Sequence, residues 1–417
     1  MKNVLVVFLL IFSSYSYTQI QVKAKIVNAE TLKLIEFASV LNLKTLEGAI
    51  SDTLGFFVLQ VPNKKSQLMI QSLGYKTDTF TVEEVLSAEV IKLEVNNFEI
   101  LDVIVYPKSP FDIVRKAVLK IDENYHAETI AQNVFSREEL IVNKQLFGIR
   151  EINFNALAKF KNDENANLIS INKARYFSNI DTLRSLGKIV ARQLVGFDST
   201  EIKKDVQQFF SMNFLLNDNL GNSKTSLLGK NSLKYYKYNY NGLVKKDDYV
   251  AYHITFDQVD NLKKSLYKGH FYIDTASLAF IDIQIYTSPK GIGFQKYVPK
   301  TIKLILKLFG FSFYIKGMDY QIHYKQIGQK WILDKAYSKL AAVVSKKGYS
   351  FDGFMRILVD VNKFYPKEDF YNRKSKYDKI GSEIEDFKKP TFFNGLHYVP
   401  NTKSSKYIKQ KEQRSTY

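Results

Sequence analysis

The sequence predicts a mainly β protein in two parts, a small N-terminal sandwich followed by a larger antiparallel β-rich domain with a few helices. Three observations carry that prediction. The chain has 417 residues, more than one ordinary domain needs. It holds 27 Tyr and 31 Phe against one Trp, and large aromatic side chains suit half-buried pleated surfaces. Period-two alternation of apolar and polar residues recurs along its length.

The first residues read as an export signal occupying 1–18. Lys2 supplies a positive charge, "VLVVFLLIF" an apolar core and "SSYSYTQ" a tail of small and polar residues. That core is too short for a spanning helix, which needs about 20 apolar residues. Cysteine is absent, which excludes disulfides, thiolate metal sites, Cys nucleophiles and the lipid anchor of a lipoprotein. The expected location is therefore the periplasm or the outer membrane.

The formal charge of +18 is uneven. Residues 19–106 carry 8 Lys+Arg and 11 Asp+Glu, a net of −3, which leaves +20 from Pro107 onward. A basic domain suits nucleic acid, anionic lipid, acidic glycan or plain solvated lysine, and export argues against nucleic acid.

The first domain is expected over 19–106. In "IQVKAKIV", Ile20, Val22, Ala24 and Ile26 share one face of a strand. "EFASVLNLKT", the two flanks of "SDTLGFFVLQV", "SQLMIQSLGYKTDTFTV", "VIKLEV" and "LDVIVYP" add further strands, and nothing here shows a helical period. Asp52 stands three residues before Gly55. The pattern suits a turn in which the carboxylate bonds backbone amides and the glycine takes a positive φ, with Phe56 and Phe57 pointing to opposite faces.

These residues resemble the carboxypeptidase regulatory-like domain. The resemblance rests on Ala38–Ser39–Val40, on Ser51–Asp52–Thr53–Leu54–Gly55–Phe56 and on Ser72–Leu73–Gly74–Tyr75, in order over about 85 residues. One departure is "KIV" at Lys25–Val27, where the family commonly has "G.V". The resemblance implies a seven-stranded Greek-key sandwich of the transthyretin-like type, without peptidase activity, with Asp52, Gly55, Phe56, Gly74 and Tyr75 as structural turn and family positions. Such domains commonly precede outer-membrane or periplasmic modules in Bacteroidota. "FEILDVIVYP" is similar to the phrase that often ends them there.

The second domain is expected over 107–390. It opens with a helix over 110–124, with Ser109 as N-cap, Pro110 at its first position and Ile113, Val114, Ala117, Val118 and Ile121 on one face. Consecutive hairpins follow. His270, Tyr272 and Asp274 alternate with Phe271 and Ile273, "DTAS" turns the chain, and Ile281, Ile283 and Ile285 share a face on the return. "IGQK" joins the next pair. Tyr267, Gly269, Tyr272–Ile273–Asp274, Leu278–Ala279 and Ile281 resemble half-barrel-like antiparallel modules of uncharacterised exported proteins, which implies no activity. The apolar run 301–315, interrupted by Lys303 and Lys307, reads either as an interfacial or lipid-groove segment or as ordinary core. A polar, basic tail over 391–417 closes the chain.

Chemistry is sparse. The histidines, His126, His253, His270, His323 and His397, start neither an H-x-x-E nor an H-E-x-x-H. His253, His270 and His323 read as structural or surface residues, with a shared ligand site as the lesser alternative. A G-x-S-x-G elbow, a P-loop and a dinucleotide fingerprint are all missing. No cofactor or metal is implied. Asp257, Asp260, Asp274 and Asp282 are the acids available for a glycan or peptide hydrolase, and Asp274 suits a turn better. The leading expectation is a non-enzymatic envelope protein whose second domain binds a lipid, a glycan or an outer-membrane protein, with peripheral membrane contact possible. A carboxylate-dependent hydrolase is the alternative.

Overall fold

The computed structural model describes residues 20–45, 47–52, 54–96, 99–100, 109–125, 130–143, 145–158, 168–178, 227–229, 231–246, 248–295, 304, 307–308, 310–346, 349–366, 368–369 and 384–386. The expected signal segment, the tail, His126, His397 and all of "LDVIVYP" lie outside them. The chain divides into two compact units, one ending at Val95 and the other running from Asn96 to Lys389.

The first unit is a two-sheet sandwich. Its strands are β1 (Ile20–Asn28), β2 (Ser39–Asn42), β3 (Gly48–Ile50), β4 (Phe56–Val61), β5 (Gln67–Gln71), β6 (Asp78–Thr81) and β7 (Val90–Leu93). The sheets have orders β4-β1-β7 and β3-β2-β5-β6, so the chain changes sheet repeatedly, as a Greek key requires. Val22, Ala24 and Ile26 on β1 are buried, together with Phe57, Leu59, Val40, Leu68 and Ile70, so the alternation read from the sequence does mark the core. Phe57 enters that core. Phe56 points the other way, with the Lys23 and Lys25 ammonium groups each 5.4 Å from its ring.

One element departs from expectation. α1 (Val82–Ala88) forms where no helix was predicted. Its capping box, Thr81 with Glu84, satisfies two orphan amides, and Val82 and Val85 are buried. Seven residues with two buried positions leave too little periodicity to read.

The turn at Asp52 is built as its residue types suggest. Asp52 Oδ1 accepts hydrogen bonds from the amides of Leu54 (2.8 Å) and Phe56 (2.9 Å). Gly55 has φ +74°, and a Cβ there would lie 2.7 Å from the Ile26 carbonyl oxygen. Gly74 has φ +83° in open space. Next to it, Tyr75 bridges to Val95, and its hydroxyl accepts from Asn28 Nδ2 at 3.5 Å.

The second unit is one long sheet with helices against it. α2 (Pro110–Leu119) and α3 (Ile121–Asn124) replace the single helix expected, because Lys120 at φ −93°, ψ 3° breaks the helical path. Ser109 occupies the N-cap position but makes no side-chain capping bond. The strands are β8 (Glu99–Ile100), β9 (Ile130–Val142), β10 (Gln145–Ala158), β11 (Leu168–Ser178), β12 (Tyr236–Lys246), β13 (Tyr249–Gln258), β14 (Tyr267–Asp274), β15 (Phe280–Thr287), β16 (Phe311–Ile327), β17 (Lys330–Lys346), β18 (Tyr349–Tyr365) and β19 (Ile384–Asp386). Their order is β19-β11-β10-β9-β18-β17-β16-β15-β14-β13-β12-β8. Neighbours are antiparallel except β11 with β19. Among the described residues the two edges do not meet. β8, expected in the first domain, pairs with β12 and so belongs here.

One face of this sheet is apolar. Ile254, Phe271, Ile283 and Ile322 on it form a core with Ile113, Val114, Ala117 and Ile121 of the helices. The helical stripe therefore packs against the sheet. Tyr125 locks the helix end, its hydroxyl donating to the Phe280 carbonyl at 2.6 Å. Gly269 lets β14 and β15 close, since a Cβ there would fall 1.8 Å from the Gln284 carbonyl oxygen.

Asp52→Ala is expected to lower unfolding stability in urea by about 2 kcal/mol, the usual scale for hydrogen bonds to a charged acceptor. Gly55→Ala adds a steric clash to an unfavourable φ and should cost more. A Gly55→Ala variant as stable as the parent would contradict this turn.

Candidate functional site

The face opposite the helices is polar, and its register sets out its chemistry in rows. One row crosses eight strands: His253, Tyr272, Asp282, His323, Lys335, Asp360, Phe135 and Asn153 stand directly opposite one another in turn. The next runs Thr255, His270, Gln284, Gln321, Tyr337, Leu358, Arg137 and Glu151. A third includes Lys268, Tyr286, Asp319, Lys339, Arg356 and Glu139. Strand alternation sends every second residue to this face, so three of the histidines arrive here together.

The centre of the first row is a buried ionic cluster. Lys246 Nζ lies 3.3 Å from Asp282 Oδ2 and 3.3 Å from His323 Nδ1, and His323 Nδ1 is 3.4 Å from Asp282 Oδ2. Lys246 and Asp282 side chains are each 8% exposed. Burial alone would raise the Asp282 carboxyl, but the His323 hydrogen bond and the Lys246 charge outweigh it and hold it below the ordinary carboxylate range. Lys246 sits on β12 and Asp282 on β15, three strands away. In a flat sheet that is about 14 Å, more than a lysine side chain spans. The sheet therefore curls towards its polar face at this end.

Beside the cluster, His253 Nε2 and His270 Nδ1 are 2.9 Å apart. Their rings are 21° from parallel with centroids 5.2 Å apart, so the two nitrogens face each other along the line joining the rings. That is an N–H···N hydrogen bond, not a convergent pair of metal ligands. Tyr272 stacks on His253 at 4.7 Å and 8°. Burial, then the neighbouring His270, push the His253 pKa down to about 4. Burial raises the Tyr272 hydroxyl to about 12. Among the described residues no group of three or more His, Asp or Glu is placed to hold a metal.

Further along the rows the charges are buried and paired. Arg137 Nη2 meets Glu139 Oε1 at 2.6 Å and its Nη1 meets Glu151 Oε1 at 3.1 Å, while Arg356 Nη2 meets Glu139 Oε2 at 2.6 Å. Burial would raise Glu139, but the two guanidinium groups hold it below the ordinary range. Arg150 pairs with Glu138 on the other face of the same strands. The asparagines join in, with Asn133 Nδ2 donating to Asn153 and Asn155 Oδ1 at 3.0 and 2.9 Å.

The four acids named from the sequence do not converge. Asp257 and Asp260 share Lys290, at 3.1 and 2.8 Å. Asp274 accepts from the Ser277 amide at 2.7 Å and its hydroxyl at 2.6 Å, the turn role expected of it. Only Asp282 joins the histidines. Lys246, Gln284, Tyr286, Gln321 and Tyr337 were not named from the sequence. Their period-two spacing was visible, but which strands lie side by side was not.

The unfolded His253 has the ordinary pKa near 6.5, and the folded value of about 4 means that the unfolded chain takes up its proton first. Stability from this group is present above about pH 6.5 and is lost as pH falls towards 4. His253→Gln should flatten the fall in urea midpoint between pH 7 and pH 5. An unchanged pH slope in that variant would contradict the assignment.

No family model matches the chain, and no curated protein is significantly similar to it. Among the solved structures similar in part are two. One is a DUF1329 family protein from Desulfovibrio piger, at 8% identity and TM-score 0.27, covering 62% of this chain and 94% of that one. The other is a candidate membrane-associated protein of unknown function from Bacteroides fragilis, at 10% identity and TM-score 0.15, covering 84% of this chain and 99% of that one. At these TM-scores neither likeness carries an argument. No helix of the described residues is long and apolar enough to cross a membrane.

Proposed function

We propose that the chain is an exported envelope protein without catalytic activity, whose large sheet binds a glycan on its polar face. The observation that carries this reading is the half-buried strip His270, Gln284, Gln321 and Tyr337, with Tyr286 beside it. Aromatic rings and planar amides or imidazoles in a shallow, curled surface suit the faces and hydroxyls of a sugar. Charges nearby are largely paired within the protein, so the strip offers hydrogen bonds more than net charge. A lipid chain would want a continuous apolar groove instead. The first unit, read as a regulatory-like sandwich, serves as a docking or stability module. Its Asp52, Gly55, Phe56, Gly74 and Tyr75 are structural in this reading.

The hydrolase reading draws on one observation. Burial holds the Asp319 carboxyl above its ordinary value, as a general acid requires. Its partner on this face would be Asp282, but Asp319 stands opposite Tyr286, four residues along β15 from Asp282. That is about 13 Å along the strand, beyond the roughly 6.5–9.5 Å that an inverting pair spans.

Mature protein recovered from its own envelope should begin near Gln19. Screened on a glycan array and then titrated with the best-retained oligosaccharide, it should bind, and Tyr286→Ala or Gln321→Ala should weaken affinity about tenfold, some 1.4 kcal/mol, without moving Tm. An array that retains nothing, or variants that bind as the parent does, would contradict the proposal.

A further inference from the structure

Asp274, Asp282, Asp334 and Asp352, on β14, β15, β17 and β18, each bond an amide or a cation. Asp319, on β16 between them, is half-buried and differs. Among the described residues its carboxylate accepts no hydrogen bond and makes no ion pair. Burial holds it above the ordinary carboxylate range, and the charge of Lys339 offsets only part of that. A carboxylate that has given up part of its water without gaining a donor carries a cost, which a donor arriving from outside removes.

Its neighbours supply the rest of a binding surface. Asp319 stands opposite Tyr286 on one side and Lys339 on the other, so the three share a row of the polar face about 10 Å wide. Tyr286 is half-buried, its hydroxyl is hydrogen-bonded by the Gln321 side chain, and among the described residues its ring packs on no other ring. Lys339 is half-buried too, with its ammonium group 4.6 Å from the Phe354 ring centre. Lys268, opposite Tyr286 on the far side, is exposed.

The order of charges in this row selects the sugar. A carboxylate at its centre repels the carboxylate of a uronic acid, and a lysine at either end repels the ammonium group of an amino sugar. A neutral sugar meets neither obstacle. One of two adjacent hydroxyls donates to Asp319, the oxygen of the other accepts from Lys339 Nζ, and the C–H face of the ring lies on Tyr286. We propose that Asp319, set between Tyr286 and Lys339, is the specificity-determining acceptor of the glycan site and restricts it to neutral sugars with adjacent hydroxyls. The proposal names the substrate class of the glycan reading and rests on it. The net positive charge of the second unit, which on its own suits an acidic glycan, is overruled locally by this one carboxylate.

The full mature chain is to be screened against matched sets of oligosaccharides, each a neutral hexose oligomer with its uronate and its amino-sugar counterparts, and then titrated by calorimetry with every member of the best-retained set. The neutral member is expected to bind about tenfold or more tightly than either counterpart. Asp319→Asn should weaken the neutral member about tenfold and remove the discrimination against the uronate. It should leave the urea midpoint no lower than the parent's, because no partner inside the protein is lost. Tyr286→Ala should weaken all three members alike. A parent that prefers the uronate or the amino sugar overturns this inference and spares the glycan reading. So does an Asp319→Asn variant with the parent's affinities, or one whose urea midpoint falls, since the carboxylate would then serve the fold. Retention of no sugar at all overturns both.

Discussion

A lysine that reaches an aspartate three strands away shapes the rest of the second unit. Lys246 can touch Asp282 only if β12 to β15 curl towards their polar face. Both side chains leave water to do so, and an ammonium group and a carboxylate leave water at acceptable cost only together. His323 completes the set by bonding the same carboxylate oxygen. Strand alternation sets three histidines, two rows of amides and tyrosines and the Arg137–Glu139–Arg356 pairs on this same face, and it leaves the apolar face to the helices.

The same constraint governs β9, β10 and β18. The middle of each strand is buried on both faces, yet "FSREEL" puts two glutamates and an arginine in the middle of β9. Arg137, Arg150 and Arg356 stand opposite or beside them and neutralise them. Removing one partner would strand a charge, at a cost of about 3–5 kcal/mol. The cross-strand pairs Arg137–Glu151, Arg150–Glu138 and Arg356–Glu139 fix register, because a one-residue slip would carry each glutamate to the face opposite its arginine across the strand. The half-buried strip on β14 to β17 is thus held between two ionic blocks, one at Asp282 and one at Glu139.

Much of this was legible in the sequence, and the parts that were not share a cause. Alternation placed Val22, Ala24 and Ile26 in the sandwich core, and Ile281, Ile283 and Ile285 on the apolar face. Turn chemistry placed Asp52, Gly55 and Asp274, since each acts on amides within a few residues. Contacts between distant residues left no local mark. β9 pairs with β18 more than 200 residues on, and His253 meets His270 only because β13 and β14 are set diagonally in register. The division of one expected helix at Lys120 and the seven-residue α1 are too small for a periodic signal.

The claim that a buried ionic closure holds the curl is tested most directly by a double-mutant cycle on Lys246→Met and Asp282→Asn. The single tryptophan, Trp331, is 1% exposed in the same unit and reports its unfolding by fluorescence. Each single variant is predicted to cost about 3 kcal/mol, and the double variant little more than one of them. Costs that simply add would show that the two residues do not act together, and would contradict the account.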